Sequence, residues 1–264
     1  MGSATREALV AAKAALASVT AKNSLTTGAE LFQAGRAVGG SAQLRSALAD
    51  PAASAKDKTA VVGSVFSSLS ASTRTVLSAL VSARWSSADD LLAGIEEIAI
   101  RSIAQSAPAK LSIDGELFAF GETVSSDAEL ELAVGSKLGT SESKSELISS
   151  LLTGKASEQT IVIIDHLVQQ PRGRRIGELI STAADIVADQ AGQSIATITT
   201  AAPLKAAQLE RLRSGLANNY GRELMLNVRL DPSLIGGVRV QIGDEVIDGS
   251  VSTKLNDLRI QLAG

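Results

Sequence analysis

The chain has 264 residues, a net charge of −3, 45% hydrophobic residues, 2% aromatics and no cysteine. That hydrophobic content suffices for packed cores and excludes a disordered chain. The missing cysteine excludes a disulfide framework and a thiolate metal site, and the mild acidity argues against wholesale nucleic-acid binding, which needs a basic face. The longest uncharged runs, 59–73 and 190–204, fall short of the roughly 20 apolar residues of a membrane span. The start, MGSATREALVAAKAALASV, lacks the basic opening and unbroken apolar stretch of a signal peptide. It reads as an amphipathic helix over Thr5–Ala21, with Leu9, Ala12, Lys13, Leu16 and Val19 at helical spacing.

Two short segments then match. ELFQAG at Glu30–Gly35 recurs as ELFAFG at Glu116–Gly121, an offset of 86 residues. At that offset nine positions between 30 and 58 are identical to those between 116 and 144, including Leu31/Leu117, Phe32/Phe118, Val38/Val124, Leu44/Leu130 and Lys58/Lys144. One inserted residue moves the offset to 87, after which Thr73/Thr160, Val76/Ile163, Leu77/Ile164, Leu80/Leu167 and Val81/Val168 align. A fixed period marks a duplicated structural unit. In the first copy the apolar stripes are Leu44–Leu48, Val61–Leu69, Val76–Arg84 and Leu91–Ala99, each at helical spacing. Breaks fall at Asp50-Pro51, Ser67–Thr73 and Trp85–Ala88, and in the second copy at Gly139–Ser141, Gly154–Ser157 and Pro171–Gly173. Ser and Asp at such breaks suit helix N-caps. Two helical bundles are expected, 1–108 and 109–190.

After Gln190 the period changes from helical to alternating. Ile195–Thr200 is rich in β-branched residues, Leu224, Leu226, Val228 and Leu230 alternate, Val238, Val240 and Ile242 follow, and Glu245–Ile247 is short; four strands are expected. Between the first two, Pro203 is expected in the first turn of a helix that runs to a Gly221 cap. A last helix is expected after Asp248-Gly249-Ser250, with Val251, Leu255, Leu258 and Leu262 on one face. The fold class is α+β: mainly α-helical bundles with an internal duplication, then a small α/β domain, 191–264, with a mixed four-stranded sheet.

Little chemistry is visible. The single histidine, His166, lies in an apolar helical stretch, IVIIDHLVQQ, where a packed residue is the plainer reading than a catalyst. With one His and no Cys, a zinc site would need carboxylates or waters. No phosphate loop and no G-x-S-x-G nucleophile elbow occurs. The glycines of LIGGVRVQIGDEVIDGS precede a strand or sit in a hairpin, so they read as turn formers rather than a phosphate cradle, which needs a strand-to-helix junction. PRGRR, Pro171–Arg175, is the one compact basic cluster, readable as a solvated loop or as a contact for an acidic partner or lipid headgroups. No catalytic, cofactor or metal residue is assigned.

TTAAPLKAAQLERL followed by LDPSLIGGVRVQIGDEVIDGSVSTKLNDLRIQL closely resembles the delta subunit of bacterial rotary ATP synthase, the family of the mitochondrial oligomycin-sensitivity-conferring protein. The signature residues are Pro203, Asp231, Pro232, Gly236, Gly237, Gly243, Asp244, Asp248, Gly249 and Ser250. The ordinary member is much shorter; the repeat makes this chain similar to the long form of high-GC Gram-positive bacteria, the actinobacteria. The resemblance implies a non-catalytic stator subunit on the cytoplasmic side of the plasma membrane, linking the catalytic head to the membrane-anchored b subunits of the peripheral stalk. It also implies a groove of the bundle's first and fifth helices that grips an N-terminal segment of the alpha subunit. On that basis Leu9, Leu16, Val76, Leu80 and Arg84 are candidate head contacts, and Val251, Leu255, Leu258 and Leu262 candidate stalk contacts. Helix-in-groove docking is the natural mode. No cofactor, nucleic acid or transmembrane segment of its own is expected. The rival readings from the residues alone are a helical-repeat protein-binding adaptor unrelated to ATP synthase, and an enzyme whose α/β tail binds a small ligand.

Overall fold

The computed structural model describes residues 2–135, 139–243 and 245–249. It forms two compact units, Met1–Val187 and Ala188–Gly264. The first unit holds both copies of the repeat as far as Val187.

The first copy contains α1 (Ser3–Leu16), α2 (Ala21–Gly40), α3 (Ala42–Ala49), α4 (Ala55–Val65), α5 (Ala71–Ser82) and α6 (Ala88–Gln105). The second contains α7 (Ile113–Ser126), α8 (Ala128–Gly135), α9 (Ser141–Leu152), α10 (Glu158–Gln169) and α11 (Ile176–Gln190). The serine-rich breaks are caps: the hydroxyls of Ser41, Ser54, Ser70 and Ser87 accept from the N–H groups of Leu44, Asp57, Thr73 and Asp90. Thr140 and Ser157 do the same for α9 and α10. Each cap satisfies a donor that the helix start leaves unpaired. Asp50 stops α3 by turning its carboxylate onto the Ala52 N–H at 2.8 Å. The first helix ends at Leu16, short of the expected Ala21, and α2 starts there as a separate helix. The stripe expected over Val61–Leu69 outruns its helix: Phe66 is the C-cap of α4, and Leu69, beyond it, is still buried. Likewise α5 stops at Ser82, so Arg84 lies past its end, where the Trp85 indole N–H donates to the Leu80 carbonyl at 2.7 Å.

The opening glutamate of each matched segment explains why the repeat persists. In the first copy, Oε2 of Glu30 accepts from the Ser70 N–H at 3.0 Å, the Ser70 hydroxyl at 2.6 Å and the Thr73 hydroxyl at 2.5 Å. In the second, Oε2 of Glu116 accepts from the Ser157 N–H at 3.0 Å, the Ser157 hydroxyl at 2.6 Å and the Thr160 hydroxyl at 2.5 Å. A carboxylate from one helix thus clasps the N-terminus of the next but two, where the helix dipole also favours negative charge. The glycine that ends each segment serves close packing: a Cβ on Gly35 would lie 3.3 Å from Ile95 Cγ2, and one on Gly121 3.3 Å from Ile180 Cγ2. Leu31, Phe32 and Leu117 are buried, as their apolar character predicts, whereas Phe118 is half-buried.

Helix α6 is where the first copy meets the second. It packs against α1, α2, α3 and α5 of the first and also against α10 of the second. Its sequence suits that position, since Leu91, Leu92, Ile95, Ile98, Ala99, Ile100 and Ile103 leave little of its circumference polar, and all are buried.

The second unit is a four-stranded mixed sheet with one described helix. β1 (Gln193–Thr200) and β2 (Glu223–Leu230) are parallel, joined by α12 (Ala206–Tyr220). β3 (Val238–Ile242) pairs antiparallel with β1, and β4 (Glu245–Asp248) with β3, giving the order β2-β1-β3-β4. Ala196, Ile198, Leu224 and Val240 project from the sheet into a core with Leu216 of α12, the alternation that a half-buried strand dictates. Pro203 precedes α12 rather than entering its first turn. The cap is Lys205, whose N–H is taken by the Gln208 side chain at 2.9 Å, so the proline, which has no N–H, sits where none is required. Gly221 ends α12 at φ 64°, as a left-handed cap requires.

Candidate functional site

Two places in the first unit stand out: a buried charge cluster where the copies meet, and an open apolar groove on the second copy. The cluster is built around Glu96 on α6, a carboxylate on the buried face of that helix. Arg174 holds it bidentately, Nη1 to Oε1 at 2.8 Å and Nη2 to Oε2 at 2.9 Å. Arg172 adds a third contact, Nη2 to Oε2 at 2.8 Å. Both arginines come from the turn after α10. The Arg174 N–H closes it onto the Pro171 carbonyl at 3.0 Å, and its central residues Arg172 and Gly173 both have positive φ, 50° and 78°. A non-glycine residue in that region costs roughly 1 kcal/mol, which the ion pair offsets.

His166 completes the cluster. It lies flat on Phe32, ring centroids 3.8 Å apart and 6° from parallel. Its Nδ1 is 3.1 Å from Nη1 of Arg36. Arginine can only donate, so Nδ1 accepts and the ring proton sits on Nε2, which points at Glu96 Oε2 from 3.6 Å, too long for a hydrogen bond. Burial pushes the His166 pKa below its usual value, Glu96 opposes that, and Arg36 and Arg172 reinforce it; the ring is neutral at pH 7. Burial alone would raise the Glu96 pKa, but its polar and cationic neighbours His166, Arg174 and Arg172 outweigh it and hold the carboxyl at about 2.

This arrangement is structural rather than catalytic. Both carboxylate oxygens of Glu96 are taken by arginines of the chain, while His166 Nε2 and Arg172 Nε beside them are buried without a hydrogen-bond partner. PRGRR is therefore not simply a solvated loop, since two of its arginines face an internal carboxylate. Glu96 itself is the residue that reading the sequence missed. The available signal was a charged residue spaced with Leu92, Ala99 and Ile103 on an apolar face, which burial tolerates only with cationic partners.

Among the candidate head contacts, Leu9, Leu16, Val76 and Leu80 are 8%, 1%, 0% and 0% exposed. They are core of the helical unit and offer no surface to a partner, because the apolar stripes of α1 and α5 pack on each other. Arg84 is exposed, as is Val10 on α1 at 69%. The candidate stalk contacts Val251, Leu255, Leu258 and Leu262 lie outside the described residues. The open apolar surface is instead a groove between α8, α10 and α11, lined by Val134, Leu167, Val168, Ile176 and Leu179, with Leu132 at its lip, 73% exposed. Glu131 and Arg175 flank it.

The signature residues of the second unit are turn formers. Asp231 accepts from the Ser233 N–H and hydroxyl at 2.9 and 2.6 Å, next to Pro232. Gly236, Gly237 and Gly243 take φ values of 111°, 87° and 56°, open to glycine at little cost. Asp248 accepts from Arg239 at 2.9 Å, and Gly249 donates to the Val238 carbonyl at 3.0 Å. Asp244 and Ser250 lie outside the described residues. Among the described residues no group of acidic or histidine side chains could hold a metal, and no helix is long and apolar enough to cross a membrane.

A helical unit with an internal charge cluster and an apolar groove, followed by a turn-rich α/β unit, defines an α+β protein of mainly helical architecture. Comparison with known proteins fixes which one. The family model described as ATP synthase delta (OSCP) subunit matches residues 98–262. The ATP synthase subunit delta of Leifsonia xyli subsp. xyli is 54% identical over 264 residues, covering 100% of both chains. That of Streptomyces griseus subsp. griseus is 36% identical over 271 aligned positions, again covering 100% of each. A chain of the cryo-EM structure of the Toxoplasma gondii mitochondrial ATP synthase hexamer is 20% identical, covering 64% of this chain and 96% of its own, at a TM-score of 0.40, an overlap too low to argue from. The chain belongs to the ATP synthase delta (OSCP) subunit family and is a non-catalytic, membrane-associated component of the peripheral stalk. Neither the unrelated adaptor nor the small-ligand enzyme is supported.

Proposed function

We propose that the chain links the catalytic head, through N-terminal segments of the alpha subunit, to the b subunits of the peripheral stalk on the cytoplasmic side of the plasma membrane. Held in this way, the head cannot turn with the rotor, and proton flow is converted to ATP synthesis. The observation that carries this reading is the family match across 98–262, supported by a relative of the same length named as ATP synthase subunit delta. Co-purification with the head, and ATP-driven proton pumping measured after depletion of the chain, test it. Normal coupling without the chain would overturn it, as would ATP turnover by the isolated protein.

Head recognition is best assigned to the second copy. Two observations support this: the family match starts at Ile98, within α6, and so takes in the second copy entire, and the α8–α10–α11 groove is apolar and open while the α1–α5 seam is closed by its own side chains. An amphipathic helix of the alpha subunit would lay its apolar face against Leu132 and the groove floor. Leu132→Asp should weaken head binding at least tenfold and Val10→Asp should not; the opposite pattern would return the site to the first copy. Stalk contact is assigned to the second unit, where Leu230, Ile235, Val246 and Ile247 are exposed and the stripe of Val251, Leu255, Leu258 and Leu262 follows. Leu258→Asp should abolish stalk binding at an unchanged unfolding midpoint, whereas a fall in the midpoint would make that stripe core.

A further inference from the structure

The cluster around Glu96 joins residues from the two copies. Phe32 and Arg36 come from α2 and Glu96 from α6, whereas His166 and Gln170 belong to α10 and its end, and Arg172 and Arg174 to the turn beyond. We propose that this cluster is a lock: it fixes the first copy onto the second, so that residues 3–187 respond to torque as one body and the additional copy adds no joint to the stator.

Four observations converge on this. First, the contacts are dense and cross the junction at several points. Besides the three arginine–carboxylate contacts, Gln170 Nε2 reaches the Gly35 carbonyl at 3.4 Å, and the His166 ring lies on Phe32. Second, the cluster is confined to the junction. The Gly35–Ile95 and Gly121–Ile180 contacts set α6 and α11 in register, and in that register the counterpart of Glu96 is Ser181, which is exposed. The loop of the first copy that corresponds to the arginine turn reads ARWSS, residues 83–87, with neither arginine in place. A feature retained for folding each copy would recur in both, as the Glu30 and Glu116 clasps do. Third, Arg172 is held at a positive φ, a conformation that surroundings must impose. Fourth, the carboxylate is buried, its side chain 8% exposed. Sliding the copies apart would take this carboxylate from both of its arginine partners, which a buried charge resists.

Spin-label distance measurements on the full chain test this, since the absence of cysteine lets two labels be placed without background. Ala60→Cys with Ser149→Cys reports across the copies, and Val10→Cys with Ala60→Cys within the first; all three positions are exposed. The native protein should give one narrow distance distribution for each pair. Glu96→Ala should broaden the cross-copy distribution at least twofold and leave the within-copy one unchanged. Because Glu96→Ala strands two arginines and could prevent folding, Arg174→Ala, which removes a side chain 30% exposed, is measured beside it and decides alone if the first variant lacks a native circular dichroism spectrum. A cross-copy distribution that stays narrow in the folded variants overturns the lock. So does broadening of both pairs together, which would make the cluster an ordinary part of overall stability.

Discussion

Glu30 and Glu116 hold the same three donors at matching distances, yet the helices that carry and follow them present opposite charge. Arg36, Gln43 and Arg45 on α2 and α3 correspond to Glu122, Glu129 and Glu131 on α7 and α8, and Ser46 corresponds to Leu132. The duplication therefore retained what each copy needs to close on itself and changed what it shows to its neighbours. In the first copy the basic face, with Arg36, meets the second copy's His166. In the second copy the same face is acidic, and Leu132 stands out from the groove at 73% exposure. One set of folding rules thus carries two different surfaces.

The largest effect that would break this comparison lies at the junction. Glu96→Ala should lower stability by about 3 kcal/mol, the scale for breaking a buried ion pair, with no counterpart at Ser181→Ala; urea unfolding midpoints measure both. The pH dependence follows from the same residue. The Glu96 carboxyl titrates at about 2 in the folded chain against an ordinary 4.5. Its contribution is therefore complete above pH 4.5 and is lost as pH falls from there towards 2. The stability difference between native and Glu96→Gln proteins should shrink across that window.

Next in size are the clasps, where Glu30→Ala and Glu116→Ala should each cost about 2 kcal/mol through stranded hydroxyl and N–H donors. Burial would raise both glutamate pKa values, but hydrogen bonds from Ser70 and Thr73, and from Ser157 and Thr160, lower them in parallel. Unequal losses, read from the same unfolding curves, would show that the copies do not share one frame. Gly35→Ala and Gly121→Ala come third, each within about 1 kcal/mol, since Ala gains helix propensity but presses on Ile95 or Ile180. Calorimetry should find the two shifts alike. The smallest effect is Leu132→Ser, which should leave the unfolding midpoint within about 0.5 kcal/mol of native, as for other exposed positions, while weakening head binding.

Much of this frame was legible because period and spacing survive in the sequence. The alternation of Leu224, Leu226 and Val228 could only be a strand, and the serines before α5, α6 and α10 announced caps. The repeat was visible from Leu31, Phe32 and Gly35, although their glutamate, the residue with the most specific contacts, drew no attention, since its partners lie 40 and 43 positions away. The interface residues were less legible for a physical reason. Leu9, Leu16, Val76 and Leu80 have the pattern of a docking stripe, but helical spacing reports an apolar face without saying what covers it, and here the chain covers its own. The Glu96 cluster was invisible because its members are 78 residues apart in sequence and no local rule pairs them.

Helix α6 also bears on how such a chain can be taken apart. It closes the first copy, yet it packs against the second as well, and the family match opens within it. A gene cut to express the second copy alone should begin near Ser87, before α6, and not at 109, after it. Begun at 109, the fragment would lack one of the helices that α10 packs against, together with the carboxylate that gives the two arginines beyond α10 a partner.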